Sequence, residues 1–491
     1  MEYAKDFSVS KVFSDNMVLQ RDCAVKIWGF APESENGKTV GAEILGICGS
    51  AVIEDGHFCI TLDEHLPLCC EPTSLTVSGD GKEVTFENVL VGDVYYVIGQ
   101  SNIRFPLEAI TAGAPDGYPG KDCVITNREN IRLNRSSIHD GDDENAAKYP
   151  VRGTTELCED VRHGRSWEMP EEGALQFSAL GYFVARDIIA ATNNDIPIGL
   201  IEMDADGQSL NDFLPNDIAD RLGTDRLEDG VYKGMFHIDY QPTRYVYNQF
   251  MYPYQNCSFK GIIWYQGESD FNDVNRPLFA KNYTVYMTEL RRRFAGCKDI
   301  PVFMVEIPSC YTQYDGFDGE LWAYIDMAGV RCEMGKIPNM LDDCYLSASS
   351  DLWLDDHFWN SLHPLCKYQQ AKRVSAMLLA RLYGIGEMEY AAGPQYTRVE
   401  YNGECATVYY RYVAEGLTSA GTSDLLGFEV KVDEQWAAPA SASICDNAVH
   451  LTAQGRITGV RYNAQTPNFF PKKVNLCSSE GIPAIAFIDE M

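Results

Sequence analysis

Residues 88–102 read NVLVGDVYYVIGQSN, and the fold turns on this stretch. Val94-Tyr-Tyr-Val-Ile98 is a short, nearly continuous apolar run, the pattern of a strand covered on both faces of a parallel sheet. It stops at Gly99, and Gln100-Ser101-Asn102 follows where such a strand hands over to its loop. Three later runs repeat the arrangement: Ile196-Pro-Ile-Gly-Leu-Ile201, Gly261-Ile-Ile-Trp-Tyr265 and Pro301-Val-Phe-Met-Val305. Between them, Phe177, Leu180, Val184 and Ile188 share one helical face, and Tyr283, Met287, Leu290 and Phe294 share another. A last helix is expected to begin at Pro364, where proline suits the first helical position, and to end near Gly384. Alternating strands and helices across residues 93–388 predict a three-layer α/β domain with a mainly parallel sheet.

On both sides of this core the chain reads as β structure. Residues 1–92 carry β-prone runs at Val25–Trp28, Phe58–Leu62, Leu75–Val77 and Val84–Phe86, and LTVSGDGKEVTF alternates about an Asp80-Gly81 hairpin turn. Residues 389–491 return to the same character at Ala406–Tyr410, Leu426–Val430, Val449–Thr452 and Ile457–Tyr462. The expected division is therefore 1–92, 93–388 and 389–491, with one or two accessory β modules left open. Residues 134–166 are polar and irregular and are expected to form a surface insertion.

Composition narrows the partners. The 491 residues carry 40 Lys and Arg against 71 Asp and Glu, a formal charge of −31, which argues against nucleic acid or an anionic membrane surface. No apolar run approaches the roughly 18 residues of a membrane span, and the start, MEYAKDFSVSKVF, lacks a signal-like apolar core. Sixteen cysteines are scattered from Cys23 to Cys477 without a CxxC pair, so reduced thiols in a cytoplasmic protein are expected. The acidic run Asp140–Glu144 lacks the spacing of a calcium loop and reads as a solvated loop; no metal site and no cofactor are expected.

Ligands of open α/β sheets bind at the carboxyl ends of the strands, so the residues after each run matter most. These are Gly99-Gln100-Ser101-Asn102, Asp204-Ala-Asp206-Gly207-Gln208, Gln266-Gly267-Glu268-Ser269-Asp270 and, before the last helix, Asn360-Ser-Leu-His363-Pro364. Singly, the serine and glycines are ordinary turn residues and the His-Pro an ordinary helix entry. Together at one sheet edge they compose an esterase site, with Ser101 attacking a carbonyl and His363 taking its proton. Trp264, Tyr265 and Trp359 are either a sugar-stacking platform or, for the first two, core residues.

In this order the blocks resemble the SGNH (GDSL-type) hydrolases, and within them the sialate O-acetylesterase family. VFSDNMVLQRD (12–22), Ile27-Trp28-Gly29, residues 88–102, FSALGYFVARDI (177–188), GIIWYQGESD (261–270), SLHP (361–364), LLGFEV (425–430), ITGVRYNAQ (457–465) and SSEGIPA (478–484) carry the likeness over nearly the whole chain. The resemblance implies an SGNH α/β domain with accessory β regions. It also implies removal of acetyl groups from sugar hydroxyls, typically of O-acetylated sialic acid, without metal or organic cofactor. It gives Ser101 as nucleophile, His363 as general base, and the backbone of Ser101 and Gly207 as oxyanion donors. Gln100, Asn102, Arg104, Gln266 and Glu268 flank these positions as substrate-contacting candidates.

Three places depart from the family pattern. Asp270 stands where an asparagine amide is usual as a further oxyanion donor, and an ionised carboxylate cannot donate. Asn360 and Ser361 precede the histidine block where an acid is common, leaving Asp355 and Asp356 as reserve acids or as solvent-facing residues. The second block reads Asp204-Ala-Asp206-Gly207-Gln208 in place of Trp-Gly-Gly-Thr, and Arg104 replaces an often acidic residue. Arg104 is expected to face solvent; pairing with Asp270 or another pocket carboxylate is the alternative. An acetylxylan-type esterase and a catalytically weak glycan binder remain as the other readings.

Overall fold

The computed structural model describes the chain outside residues 1–3, 80, 139–155, 163, 225–243, 272–274, 295–298, 309–326, 353–361 and 465–470. It is a mixed α/β protein with several sheets. Its contacts divide it into two compact units. The first comprises Met1–Thr111, Asp122–Ile263 and Tyr286–Pro301; the second comprises Ala112–Lys121, Trp264–Val285 and Val302–Met491.

The first unit is organised around one strand, Lys82–Gly99, 18 residues long. Its first half alternates between exposed and covered positions and pairs antiparallel with Cys69–Gly79, with Gly79 opposite Lys82 and Gly81 at φ 75° in the connecting turn. That positive φ is a hairpin geometry glycine adopts without steric cost. From Val89 onward the strand is buried on both faces. There its partners are parallel: Val18–Gln20 along Leu90–Gly92, and Ile198–Asp204 along Asp93–Gly99. The expected boundary at residue 92 thus falls inside a single strand.

Ile131–Ser137 adds a further parallel partner to Ile198–Asp204, and Arg165–Glu168 closes that edge antiparallel. This corrects the expectation of a surface insertion over 134–166. Residues 134–137 are buried strand, and their polar side chains find partners: Asn134 Nδ2 donates to the Arg165 carbonyl at 2.9 Å, and Arg135 Nη1 to that of Gln176 at 2.5 Å. The acidic run Asp140–Glu144 lies outside the described residues. Of the expected helical face, Leu180, Val184 and Ile188 are buried on a helix spanning Ala179–Ala191, whose cap, Ser178 Oγ, accepts from Gly181 N at 3.1 Å; Phe177 is also buried but precedes the cap in extended backbone.

In the second unit, Val302–Val305 pairs parallel with Cys344–Ser347. The helix expected from Pro364 spans Lys367–Leu378, starting three residues later, and runs on as the π turn Leu379–Tyr383; a short helix, Met388–Ala391, follows it. The π turn stops where expected, at left-handed Gly384 with φ 65°. Among the described residues, 395–464 and 471–490 form two four-stranded antiparallel sheets and a two-stranded ribbon over a core that includes Tyr396, Val408, Val430, Leu451, Val460 and Phe487. Buried Arg331, in the helix Ala328–Met340, donates Nη2 to the Asn463 carbonyl at 3.2 Å, and Gln395 Nε2 donates to the Leu346 carbonyl at 3.2 Å. The expected boundary at 388/389 therefore lies within this unit.

Candidate active site

In the first unit, register brings three strand ends to one level: Asp204 is opposite Gly99 on one side and Ser137 on the other. The Gly99 carbonyl accepts from Ala205 N at 2.9 Å, which fixes how the second loop leaves the sheet. Gln100 is extended, and Ser101–Arg104 makes a single helical turn, closed by Ile103 N and Arg104 N on the Gln100 carbonyl at 2.9 and 3.1 Å. Ser101 and Arg104, three residues apart, lie on the same side of that turn. Both are half-buried, while Gln100 and Asn102 are fully covered. Across the strand ends, Gly207 sits at φ 71° in the Asp204–Gln208 turn.

Arg104 takes up the alternative to solvent exposure, and its partners are not Asp270. Its Nη1 lies 2.6 Å from Asp206 Oδ2, and its Nε 3.7 Å from Asp204 Oδ1. Asp204 also accepts from Ser137 Oγ at 2.8 Å, so one polar chain links all three strand ends. Burial, reinforced by the negative charge of Asp206, pushes the Asp204 carboxyl up to about 6 against the pull of Arg104, Arg135 and the Ser137 hydroxyl.

Asp212, in the same loop region, is buried with Ser209 Oγ donating to it at 3.1 Å. Burial raises its carboxyl from 3.8 to about 7, outweighing the hydrogen bonds from Ser209 and the backbone. The fold therefore holds this proton more tightly than the unfolded chain does, so stability falls as pH rises from about 4 to about 7 and is level above that. Asp212→Asn keeps an acceptor for Ser209 and removes the buried charge. It is expected to gain on the order of 4 kcal/mol at pH 8 and almost nothing at pH 3.5. Thermal denaturation at the two pH values reads this directly; equal midpoints at pH 8 would show a carboxylate that is compensated in the fold.

The strand Gly261–Tyr265, whose last two residues open a stretch of the second unit, delivers Gln266, Gly267 and the 3-10 turn Glu268–Asp270. Gly267 has φ 148°, and a Cβ there would lie 3.2 Å from Ile307 Cγ2, so both backbone and packing require glycine. Gln266, Glu268 and Asp270 are buried, and Gln266 Nε2 donates to Asp270 Oδ2 at 2.6 Å. That oxygen is thus an acceptor.

His363 is half-buried, and the residues after it are firmly held. Fully buried Lys367 donates Nζ to the Pro364 carbonyl at 2.9 Å and sits 5.2 Å from the centre of the Tyr265 ring. The Tyr265 hydroxyl accepts from Gln370 Nε2 at 3.0 Å, and Gln370 Nε2 also lies 3.3 Å from Ser349 Oγ. Tyr265, the residue before Gln266, therefore ties the third block to the histidine block. Burial, with Glu268 next in effect, drives its phenol far above the usual range, so it stays neutral.

Trp264 and Tyr265 are wholly buried and belong to the core, not to a sugar-stacking surface. Trp359, Asp355 and Asp356 lie outside the described residues, as do Asn360 and Ser361. Sequence reasoning missed Ser137, Lys367, Gln370 and Glu306, whose Oε2 accepts from Ser349 N at 2.9 Å. Only Lys367 left a signal, its spacing of four from His363 across a helix entry. Among the described residues, no group of three or more His, Cys, Asp or Glu is placed to hold a metal ion, and no helix is long and apolar enough to cross a membrane.

Chemically, the first unit offers a hydroxyl, that of Ser101, at the start of a tight turn. The second offers an imidazole on an anchored loop. Residues 91–357, more than half the chain, match the family model described as carbohydrate esterase, sialic acid-specific acetylesterase. Sialate O-acetylesterase of Homo sapiens is 22% identical over 443 residues, 83% of this chain and 77% of that protein. The Rattus norvegicus sialate O-acetylesterase is 27% identical over 165 residues, 32% of this chain and 29% of its own. A crystal structure of a carbohydrate acetylesterase from Xanthomonas citri aligns with a TM-score of 0.76 at 22% identity, covering 99% of this chain and 100% of that one, a likeness of fold.

Proposed function

The chain belongs to the carbohydrate esterase family of sialic acid-specific acetylesterases, which are carboxylic ester hydrolases, and from that premise we propose that it removes acetyl groups from sugar hydroxyls by Ser101–His363 catalysis. Ser101 Oγ attacks the acetyl carbonyl carbon while His363 takes its proton. The oxyanion that forms is held by the backbone N–H groups of Ser101 and Gly207. His363 returns the proton to the departing sugar oxygen, and water then releases acetate from the acetyl-enzyme. The observation that supports this most is the register that sets Gly99 level with Asp204, so that the Ser101 turn and the Gly207 turn leave the sheet side by side. Around these residues we infer the three-layer SGNH arrangement of the α/β core.

A fluorophosphonate probe tests the assignment. Covalent labelling is expected at Ser101 and to be lost in Ser101→Ala, with acetate released from a small aryl acetate by the parent protein. An unlabelled Ser101 in a protein that still releases acetate would place the nucleophile elsewhere. A second reading, a slow enzyme that retains glycan binding, is supported by one observation: Asp270, at the position where the family resemblance implies an amide donor, accepts from Gln266 Nε2 through one carboxylate oxygen.

A further inference from the structure

We propose that the hydrolase prefers acetylated sugars without a carboxylate over sialates, because the guanidinium beside Ser101 is already matched by carboxylates of its own chain. The inference rests on the Ser101 esterase reading and specifies its substrate class. A sialate presents a carboxylate, and its natural receptor is a guanidinium with a free face. Arg104 is the cation closest to Ser101 in sequence, on the same side of one helical turn. Its Nη1 is bound to Asp206 at 2.6 Å, and Asp204 stands 3.7 Å from its Nε.

On the neighbouring strand, Arg135, two residues before its Ser137 end, is also engaged: it is buried and donates Nη1 to the Gln176 carbonyl at 2.5 Å. A substrate carboxylate arriving at Arg104 would have to share it with Asp206 or displace it. Displacement leaves Asp206 near the buried Asp204 with the bridging cation drawn away. Like charges at such range repel appreciably at a partly covered site. An uncharged sugar meets no such opposition. Asp206, a quarter exposed at its side chain, is moreover an acceptor suited to sugar hydroxyls.

The test removes the charge from the substrate and leaves everything else in place. Acetate release is compared for 9-O-acetyl-N-acetylneuraminic acid and its C1 methyl ester, with an aryl acetate as a charge-free reference. The methyl ester is expected to have a kcat/KM at least about tenfold higher, a gap that narrows at high salt. Asp206→Asn, which frees one edge of Arg104, is expected to close most of that gap. Equal rates, or faster release from the free acid that Arg104→Met abolishes, overturn the proposal. Should no ester, the aryl acetate included, be hydrolysed, the esterase reading itself fails. The charge preference is then read from saturation-transfer NMR of unacetylated N-acetylneuraminic acid and its methyl ester: stronger binding of the free acid overturns it, and stronger binding of the ester upholds it.

Discussion

Ser101→Ala is expected to lower kcat for acetate release by about 10⁴- to 10⁶-fold, with thermal stability close to that of the parent. The substitution removes one oxygen from a half-buried side chain and leaves the turn intact, since Ile103 and Arg104 hydrogen-bond the Gln100 carbonyl through their backbone. What survives should be the modest rate that backbone oxyanion donors give to attack by water, without an acetyl-enzyme. The measurement is steady-state acetate release together with the pre-steady-state burst from an aryl acetate. The burst should vanish entirely; a mutant that retains it would exclude Ser101 as the nucleophile.

The second large effect runs the other way. Asp270→Asn is expected to raise kcat by about 10²-fold with little change in KM, because an oxyanion donor acts in the transition state more than in the ground state. Geometry permits the exchange. Asp270 accepts from Gln266 Nε2 at 2.6 Å through one oxygen, and an asparagine can keep that bond through its carbonyl oxygen. Its amide then takes the place of the other carboxylate oxygen and supplies the N–H that the parent carboxylate lacks. A fall in kcat would mean that the buried acid serves the third block as scaffold, and that its charge is already compensated there.

The sequence revealed the strands that end at the candidate site because their buried faces are apolar and their exits are marked by Gly99, Gly207 and Gly267. Gly207 and Gly267 occupy backbone conformations that glycine adopts at little cost. The two helical faces were legible for a related reason: Leu180, Val184 and Ile188 on the helix Ala179–Ala191, and Tyr283, Met287 and Leu290 on the helix Phe279–Arg293, are buried. The Ile131–Ser137 strand escaped because hydrophobic periodicity cannot register a buried polar side chain whose partner lies far along the chain. Asn134, for instance, accepts from Tyr254 Oη at 3.0 Å, 120 residues away. The start of the helix expected from Pro364 was misplaced for a local reason. Proline was given the first helical position, whereas the Pro364 carbonyl is held by Lys367 Nζ and the helix begins only at Lys367.

Arg104 shows the same limit at the site itself. Its charge was visible, but its partners were set by register: Asp206 follows a strand whose pairing with the Lys82–Gly99 strand no local pattern specifies. Likewise, Tyr265 reads as one more apolar strand residue, yet its hydroxyl and ring carry the contacts of Gln370 and Lys367 that anchor the loop after His363.

The strand Lys82–Gly99 has a consequence for how this protein can be cut, fused or recombined. The hairpin and the Ser101 turn are opposite ends of one continuous ladder. A gene boundary drawn at residue 92 would sever the parallel core in the middle of its pairing, so the amino-terminal β region is not a detachable cassette. Shuffling with a relative should therefore keep residues 69–104 as one inherited block. The tip at Gly81, where the chain turns back with nothing packed against the glycine, is the natural place to splice in foreign sequence.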